Sequence, residues 1–331
     1  MKNVSIAVLF IVLFVTNIFS NNLDWDFLNA AKKNDTAKVK SLLKKGANVN
    51  AQYPDIDKKT ALIFASENGN LEMVKLLLQN RAKINTTCTQ GYTALSYASE
   101  NGHLSVVKAL LSAGAVINNK SYGSHKSDLI LASWSRHPEV VKVLISAGAD
   151  VHARDGEGRN ALMFASWAGG DTETVKILLK AGANVRVKDN FGRTPLIFSV
   201  FRRMRSDLRD WENTELVKLL VASGVDINAV FRLERKTALM YALDKNYKET
   251  VKILLSAGAD VRAGDTAATL RKASEQGSVG IIKKLVAFRV NLEMRSHTIT
   301  PIIAASREGH TEVINILISA GANVNALGNS E

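Results

Sequence analysis

The sequence predicts an all-α repeat solenoid, and three observations carry that prediction. One phrase recurs: TALIFASENGNLEMVKLLL from Thr60, TALSYASENGHLSVVKALL from Thr93 and TALMYALDKNYKETVKILL from Thr237. Degraded copies begin near residues 25, 127, 160, 194, 268 and 300, so the nine starts fall 31 to 43 residues apart. Within each copy the apolar residues keep helical rather than strand spacing. Composition agrees, because four prolines and 6% aromatics argue against a β-sandwich, while 46% apolar residues suffice for a long core.

The first twenty residues differ from the rest. Met1-Lys2-Asn3 gives a short basic start, residues 4–19 are almost unbroken hydrocarbon, and Ser20 precedes polar Asn21-Asn22. That order is the one a secretory signal peptide uses, and the apolar run is short for a spanning helix. Residues 1–20 are therefore expected to be a signal peptide cleaved near Ser20, with an uncleaved membrane anchor as the alternative. The expected location is exported, periplasmic or extracellular. A single cysteine, Cys88, rules out an intrachain disulfide and a cysteine-rich metal site.

Each copy then reads as two helices. Thr60, Thr93, Thr194, Thr237 and Thr300 are expected N-caps, and Pro195 and Pro301 suit the first helical position. Five residues on stands a small residue (Ala30, Ala65, Ala98, Ala132, Ala165, Ser199, Ala242, Ala273, Ala305), which lets neighbouring helices approach closely. Gly69, Gly102, Gly277 and Gly309 end the first helix. The second helix carries an apolar stripe such as Val74-x-Leu76-Leu77-Leu78 and closes at Gly-Ala pairs such as Gly114-Ala115.

A period near 33 with this threonine-led opening resembles the ankyrin repeat, over residues 24–325. The resemblance implies a curved array of helix–turn–helix units over 21–325, followed by a polar tail at 326–331. It also implies that linkers such as 184–193 form β-hairpin fingers at right angles to the helices. End repeats of such an array should be atypical, as the first copy, LDWDFLNAAKKNDTAKVKSLL, is.

Several departures bear on rigidity. The family's usual histidine after the Thr-x-Leu opening is replaced by Ile63, Ser96, Met163, Ile197 and Met240, which removes its link to the threonine. Arg81 and Arg289 replace the glycine of Gly-Ala, which puts two turns in question. The sixth copy carries extra residues at 202–212, where Phe201, Met204, Leu208 and Trp211 make a helical stripe. The first helix is expected to continue there by two or three turns, as either a tolerated surface insertion or a partner-contacting projection.

No catalytic constellation stands out. The six histidines have no metal-ligand or triad spacing, and His103, His137 and His310 share the position after the glycine, where the family's usual Gly-His is structural. Gly156-Glu157-Gly158 lacks the strand–helix context of a phosphate loop. No enzyme activity, cofactor or metal is expected. The formal charge of +12 has a periodic source, since Lys40, Lys75, Lys108, Lys142, Lys176, Lys218, Lys252 and Lys283 hold one equivalent position. Spread lysines do not form a phosphate-tracking groove, so no nucleic-acid partner is expected. No membrane contact beyond residues 1–20 and a monomeric state are expected as well.

In ankyrin proteins partners usually contact fingertips and the variable positions near the end of the first helix. Three consecutive repeats place Trp134, Trp167 and Phe201 at one such position. Just before the opening threonine slot the chain carries Lys59, Tyr92, Lys126, Arg159, Arg193 and Lys236. The expectation is a concave patch over repeats four to six with an aromatic floor and a basic rim, suited to an acidic protein. The candidates are Trp134, Trp167 and Phe201, the finger residues Lys126, Arg159, Phe191 and Arg193, and Arg202 and Trp211 from the insertion. Alternatively, the aromatics pack on one another as an internal ladder. The function read from this is a non-enzymatic interaction scaffold; a membrane-tethered surface array or a secreted effector acting on host proteins is the alternative.

Overall fold

The structure is a computed structural model that describes residues 23–53, 57–119, 126–167, 170–201, 212–296 and 299–325. The expected leader at 1–20, the helical extension across 202–211 and the tail at 326–331 lie outside the described residues. Two compact units are present. One runs to Gly156 and takes in Lys180–Gly182; the other comprises Glu157–Leu179 and the chain from Ala183 onward.

The described residues hold eighteen helices in sequence-adjacent pairs and no strand. The first unit contains α1 (Leu23–Lys32), α2 (Thr36–Lys44), α3 (Ala61–Glu67), α4 (Leu71–Gln79), α5 (Ala94–Glu100), α6 (Leu104–Ser112), α7 (Asp128–Trp134) and α8 (Pro138–Ser146). The second begins with α9 (Ala161–Ser166), α10 (Thr172–Lys180), α11 (Pro195–Val200), α12 (Thr214–Ala222) and α13 (Ala238–Asp244). It continues with α14 (Lys248–Ser256), α15 (Thr266–Glu275), α16 (Val279–Ala287), α17 (Pro301–Arg307) and α18 (Thr311–Ser319).

Capping chemistry fixes most starts. Thr60, Thr93, Thr194 and Thr237 each accept a hydrogen bond from the N–H three residues on, and Ser127 and Asn160 do the same. Such a cap contributes ~1 kcal/mol. Thr300 departs from expectation: its side chain makes no cap bond, and its buried hydroxyl has no hydrogen-bond partner. The eighth pair starts at Thr266, capped by Asp265, two residues ahead of the repeated phrase.

The pairs stack on their neighbours inside each unit. First helices pack in series as α1–α3–α5–α7 and as α9–α11–α13–α15–α17. The small residue of the repeated phrase lies at the contacts: Ala65, Ala98, Ala132, Ala242 and Ala273 are fully buried. Apolar stripes of the second helices, such as Met73, Val74 and Leu77, are equally buried. Each large side chain so covered contributes ~1.5–3 kcal/mol.

Polar bonds fix the register between neighbours. His103 Nε2–H donates to the Glu67 carbonyl at 2.9 Å, His137 to that of Glu100 at 3.1 Å and His310 to that of Glu275 at 2.9 Å. Their rings lie against the preceding glycine, so a Cβ on Gly102 would stand 2.4 Å from His137 Nδ1. Asparagine side chains form a second ladder: Asn50 accepts from the Lys83 N–H at 2.7 Å and Asn85 from that of Val116 at 2.9 Å. Asn118 accepts from Asp150 at 2.9 Å, and Asn228 from Asp260 at 2.8 Å.

Two expectations are corrected. Arg81 and Arg289 keep the turn that glycine makes elsewhere, entering the left-handed region at φ 65° and 52°, at a cost of ~1–2 kcal/mol each. The expected β-hairpin fingers are turns, joined among the described residues by isolated antiparallel bridges such as Gln52–Thr60 and Phe231–Lys236. Ahead of them Asn48, Asp150, Asn184, Asp226 and Asp260 each accept the N–H two residues on, and cross-turn bonds such as Tyr53 N–H to the Lys59 carbonyl close the fingers over one bridge.

The Gly-His contact predicts an asymmetry. Gly102→Ala should cost ~2–4 kcal/mol, as strain plus collision, whereas Gly46→Ala, at φ 92° with open space around it, should cost ~1 kcal/mol. Urea unfolding of both variants measures the difference; equal losses would contradict the contact.

Candidate functional site

The finger cations pack on carboxylates and rings of their own repeat or of a neighbouring one. Lys59 Nζ bonds Glu67 at 2.9 Å and lies 4.3 Å from the Tyr97 ring. Lys126 Nζ lies 3.7 Å from the Trp134 ring. Arg159 pairs with Glu157 at 3.0 Å and covers Phe164 at 4.9 Å. Lys236 bonds Asp244 at 2.9 Å and covers Tyr241 at 5.3 Å. Burial alone would depress the Lys236 pKa, but the Asp244 and Glu234 carboxylates outweigh it and hold the ammonium above the usual lysine range. Desolvation raises the Tyr241 hydroxyl, and its bond to Glu234 at 2.8 Å raises it further.

Arg193 is the extreme case. It is buried, with Nε 2.5 Å from Asp189 and Nη2 3.1 Å from Glu157. Its guanidinium lies 4.9 Å from Phe198, 5.0 Å from Phe191, 5.3 Å from Phe231 and 5.9 Å from Phe201. A desolvated cation over an aromatic face gains ~2 kcal/mol, so this group holds the core of its finger together. The expected basic rim is corrected accordingly: Lys59, Arg159, Arg193 and Lys236 meet carboxylates and rings of their own or neighbouring repeats.

The aromatic positions divide. Trp134 is the last residue of α7 and is 40% exposed. Trp167 and Phe201 follow helices that stop one residue sooner, and both take extended backbone. Trp167 packs 5.5 Å from Phe198 and 6.1 Å from Phe164, and Phe201 packs 5.2 Å from Tyr241 and 5.8 Å from Phe231. Both are half-buried. Within the second unit the rings therefore form the internal ladder, which joins Phe191, Arg193, Phe201 and Trp167 into one cluster through Phe198 and Phe231. Trp134 and Lys126 belong to the first unit. Arg202 and Trp211 lie outside the described residues.

The sequence carries a spacing that marks these pairs. Lys59 and Phe64, Arg159 and Phe164, Arg193 and Phe198, and Lys236 and Tyr241 are each five residues apart. Where position five on holds Leu131 instead, Lys126 turns to Trp134.

A second feature is the buried polar chain in the first unit. Thr93 and Ser96 form a reciprocal capping box, and the Ser96 hydroxyl donates to Asp128 Oδ1 at 2.7 Å. Ser96 thus restores the threonine link expected to be lost with the histidine. Asp128 is fully buried, and its Oδ2 has no hydrogen-bond partner. Desolvation pushes its pKa up to about 7 against the opposing Ser96 bond.

Among the described residues no group of three or more His, Cys, Asp or Glu side chains could hold a metal ion, and no helix is long and apolar enough to cross a membrane. The eight periodic lysines are exposed, as the even spread of charge required.

A family model described as "Ankyrin repeats (3 copies)" matches residues 27–121, 129–228 and 208–265, and one described as "Ankyrin repeat" matches residues 299–329. The chain is 32% identical over 99 residues to "Protein fem-1 homolog A-like" of Mus musculus, a match covering 29% of this chain and 15% of that protein. It is 43% identical over 63 residues to "Ankyrin repeat and KH domain-containing protein mask-1" of Caenorhabditis elegans, covering 19% of this chain and 2% of that protein. The chain thus spans a small part of the curated relatives it matches.

Asp128 makes stability depend on pH. Its folded pKa, about 7, lies above the ordinary carboxylate value, so the native state holds a proton that the unfolded chain releases. The resulting stabilisation is complete below pH ~4 and is lost as pH rises to about 7. Asp128→Asn should remove this dependence and exceed the wild type by ~2 kcal/mol at pH 8. Urea titrations at pH 5 and pH 8 measure it, and a gap that does not grow with pH refutes it.

Proposed function

We infer the function from one premise: this chain belongs to the ankyrin-repeat family, whose repeats mediate protein–protein interactions. We propose a non-enzymatic scaffold of nine repeats, working as a single copy outside the cytoplasm, that binds an acidic protein through the repeat carrying Lys126 and Trp134. One observation carries this reading. Trp134 keeps 40% of its surface exposed while Lys126 lies over its ring. Tryptophan beside a cation suits an interface anchor, since it combines a large apolar area with directed polar contact. Trp167, Phe201, Phe191, Arg193 and Arg159 then act as the supporting packing rather than as contacts. The acidic character of the partner follows from Lys126 and from the formal charge of +12. Location outside the cytoplasm rests on residues 1–20. The apolar run at 4–19 also favours a second reading, in which that segment stays attached and tethers the array to a membrane. In a third, the exported protein acts on proteins of another cell.

Trp134→Ala should lower partner capture from the native compartment at least tenfold without shifting the melting temperature. Trp167→Ala, by contrast, should lower the melting temperature. Unchanged capture by a folded Trp134→Ala protein removes this site. Mass spectrometry of the N-terminus separates the locations: a start near Asn21 supports export, and a retained Met1 in the membrane fraction supports the tether.

A further inference from the structure

Between α14 and α16 the second unit has a cleft of about 300 Å³, lined among others by Lys248, Val251, Lys252, Leu255, Val279 and Gly280. It lies on the second helices, away from the residues of the reading above, and does not depend on that reading. Two departures from the repeat open it. At position 278, where His103, His137 and His310 reach back to the preceding repeat in theirs, Ser278 stands instead and caps α16 without a side-chain bond. Gln276 supplies a bond to the Leu243 carbonyl, but no imidazole fills the space. At position 280, where Glu72, Glu139, Glu173, Glu215, Glu249 and Glu312 stand elsewhere, there is Gly280, and a Cβ there would meet nothing within 4 Å.

The consequences are steric and electrostatic together. Helix α14 packs on α12, and α16 on α18, but no comparable packing joins α14 to α16. Val251 is 9% exposed, whereas Val74, Val107, Val141 and Val175 at the same position are 0% exposed. The missing glutamate leaves the rim to the exposed Lys248 and Lys252. Lys252 has a neighbour in Glu249 at 2.7 Å, a solvent-exposed pair that is easily exchanged. An apolar floor under a cationic rim fits one kind of chain segment: apolar side chains on one face with carboxylates beside them.

We propose that this cleft is a docking site for an acidic amphipathic helix of a partner protein, which seats its apolar ridge on Val251, Leu255 and Val279 and its carboxylates on Lys248 and Lys252. The volume takes side chains from such a ridge and not a folded domain.

The test uses the full chain and two fluorescein-labelled helical peptides, one with leucines on one face and glutamates beside them, the other with lysines in place of the glutamates. Fluorescence anisotropy should show binding of the acidic peptide and not of the basic one. Gly280→Glu, which restores the residue of the other repeats, should weaken the acidic peptide at least tenfold without lowering the melting temperature. Lys248→Glu combined with Lys252→Glu should reverse the preference, and Trp134→Ala should leave it unchanged. Equal binding of both peptides, binding of neither, or indifference to Gly280→Glu overturns the proposal. Concentration-dependent self-association that Gly280→Glu abolishes, with no peptide bound, assigns the cleft to a second copy of this chain and overturns it as well.

Discussion

A single helix pair of this kind carries apolar side chains on faces that it cannot cover by itself. Phe27, Leu62, Leu95, Leu129, Leu162, Leu196 and Leu239 are all buried, yet each sits on a helix of six to ten residues with one partner helix of its own. Within each unit the neighbouring pairs cover what a pair's own helices leave bare, so stability is a sum of neighbour terms. That constraint explains why small residues recur at the helix contacts. It also explains why a histidine in one pair donates to a carbonyl in the pair before it, and why an asparagine at a turn satisfies the N–H of the following turn. Each device sets the spacing and rotation of one pair on another, and none of them acts within a pair.

Much of this was legible from spacing alone. Helix starts at threonine, serine or asparagine, the glycine that ends the first helix and the exposed lysines on the second helices all follow from local chemistry that recurs from repeat to repeat. Position in the repeat puts Lys59, Arg159, Arg193 and Lys236 on a surface, whereas each turns onto the ring five places on and onto a carboxylate nearby. Trp167 and Phe201 were aligned with Trp134 by position, but the alignment could not show that their helices stop one residue sooner and turn them onto neighbouring rings. The strands expected in the fingers shrink to isolated bridges because each finger closes after one or two cross-turn bonds. Ser96 with Asp128 is a different kind of miss, since a buried carboxyl at the start of α7 has no counterpart in the other repeats and periodicity carries no information about it.

The two proposed sites lie where the periodic rule is broken. Most finger cations are consumed by internal carboxylates and rings, which raises cohesion and removes them from the surface. Trp134 with Lys126 departs from this pattern because Leu131 takes the place of the usual ring, so the cation covers an indole that remains open to solvent. The cleft at Gly280 departs from it in the opposite sense, through side chains that are missing. Both exceptions pair apolar area with positive charge.

The most direct measurement is site-specific photocrosslinking in the native compartment, with benzoylphenylalanine placed in turn at Trp134, at Trp167 and at exposed Ile318. A partner held at the open indole predicts one dominant adduct from position 134 and none from the other two. Adducts of equal yield from all three positions, or from position 318 alone, would contradict it.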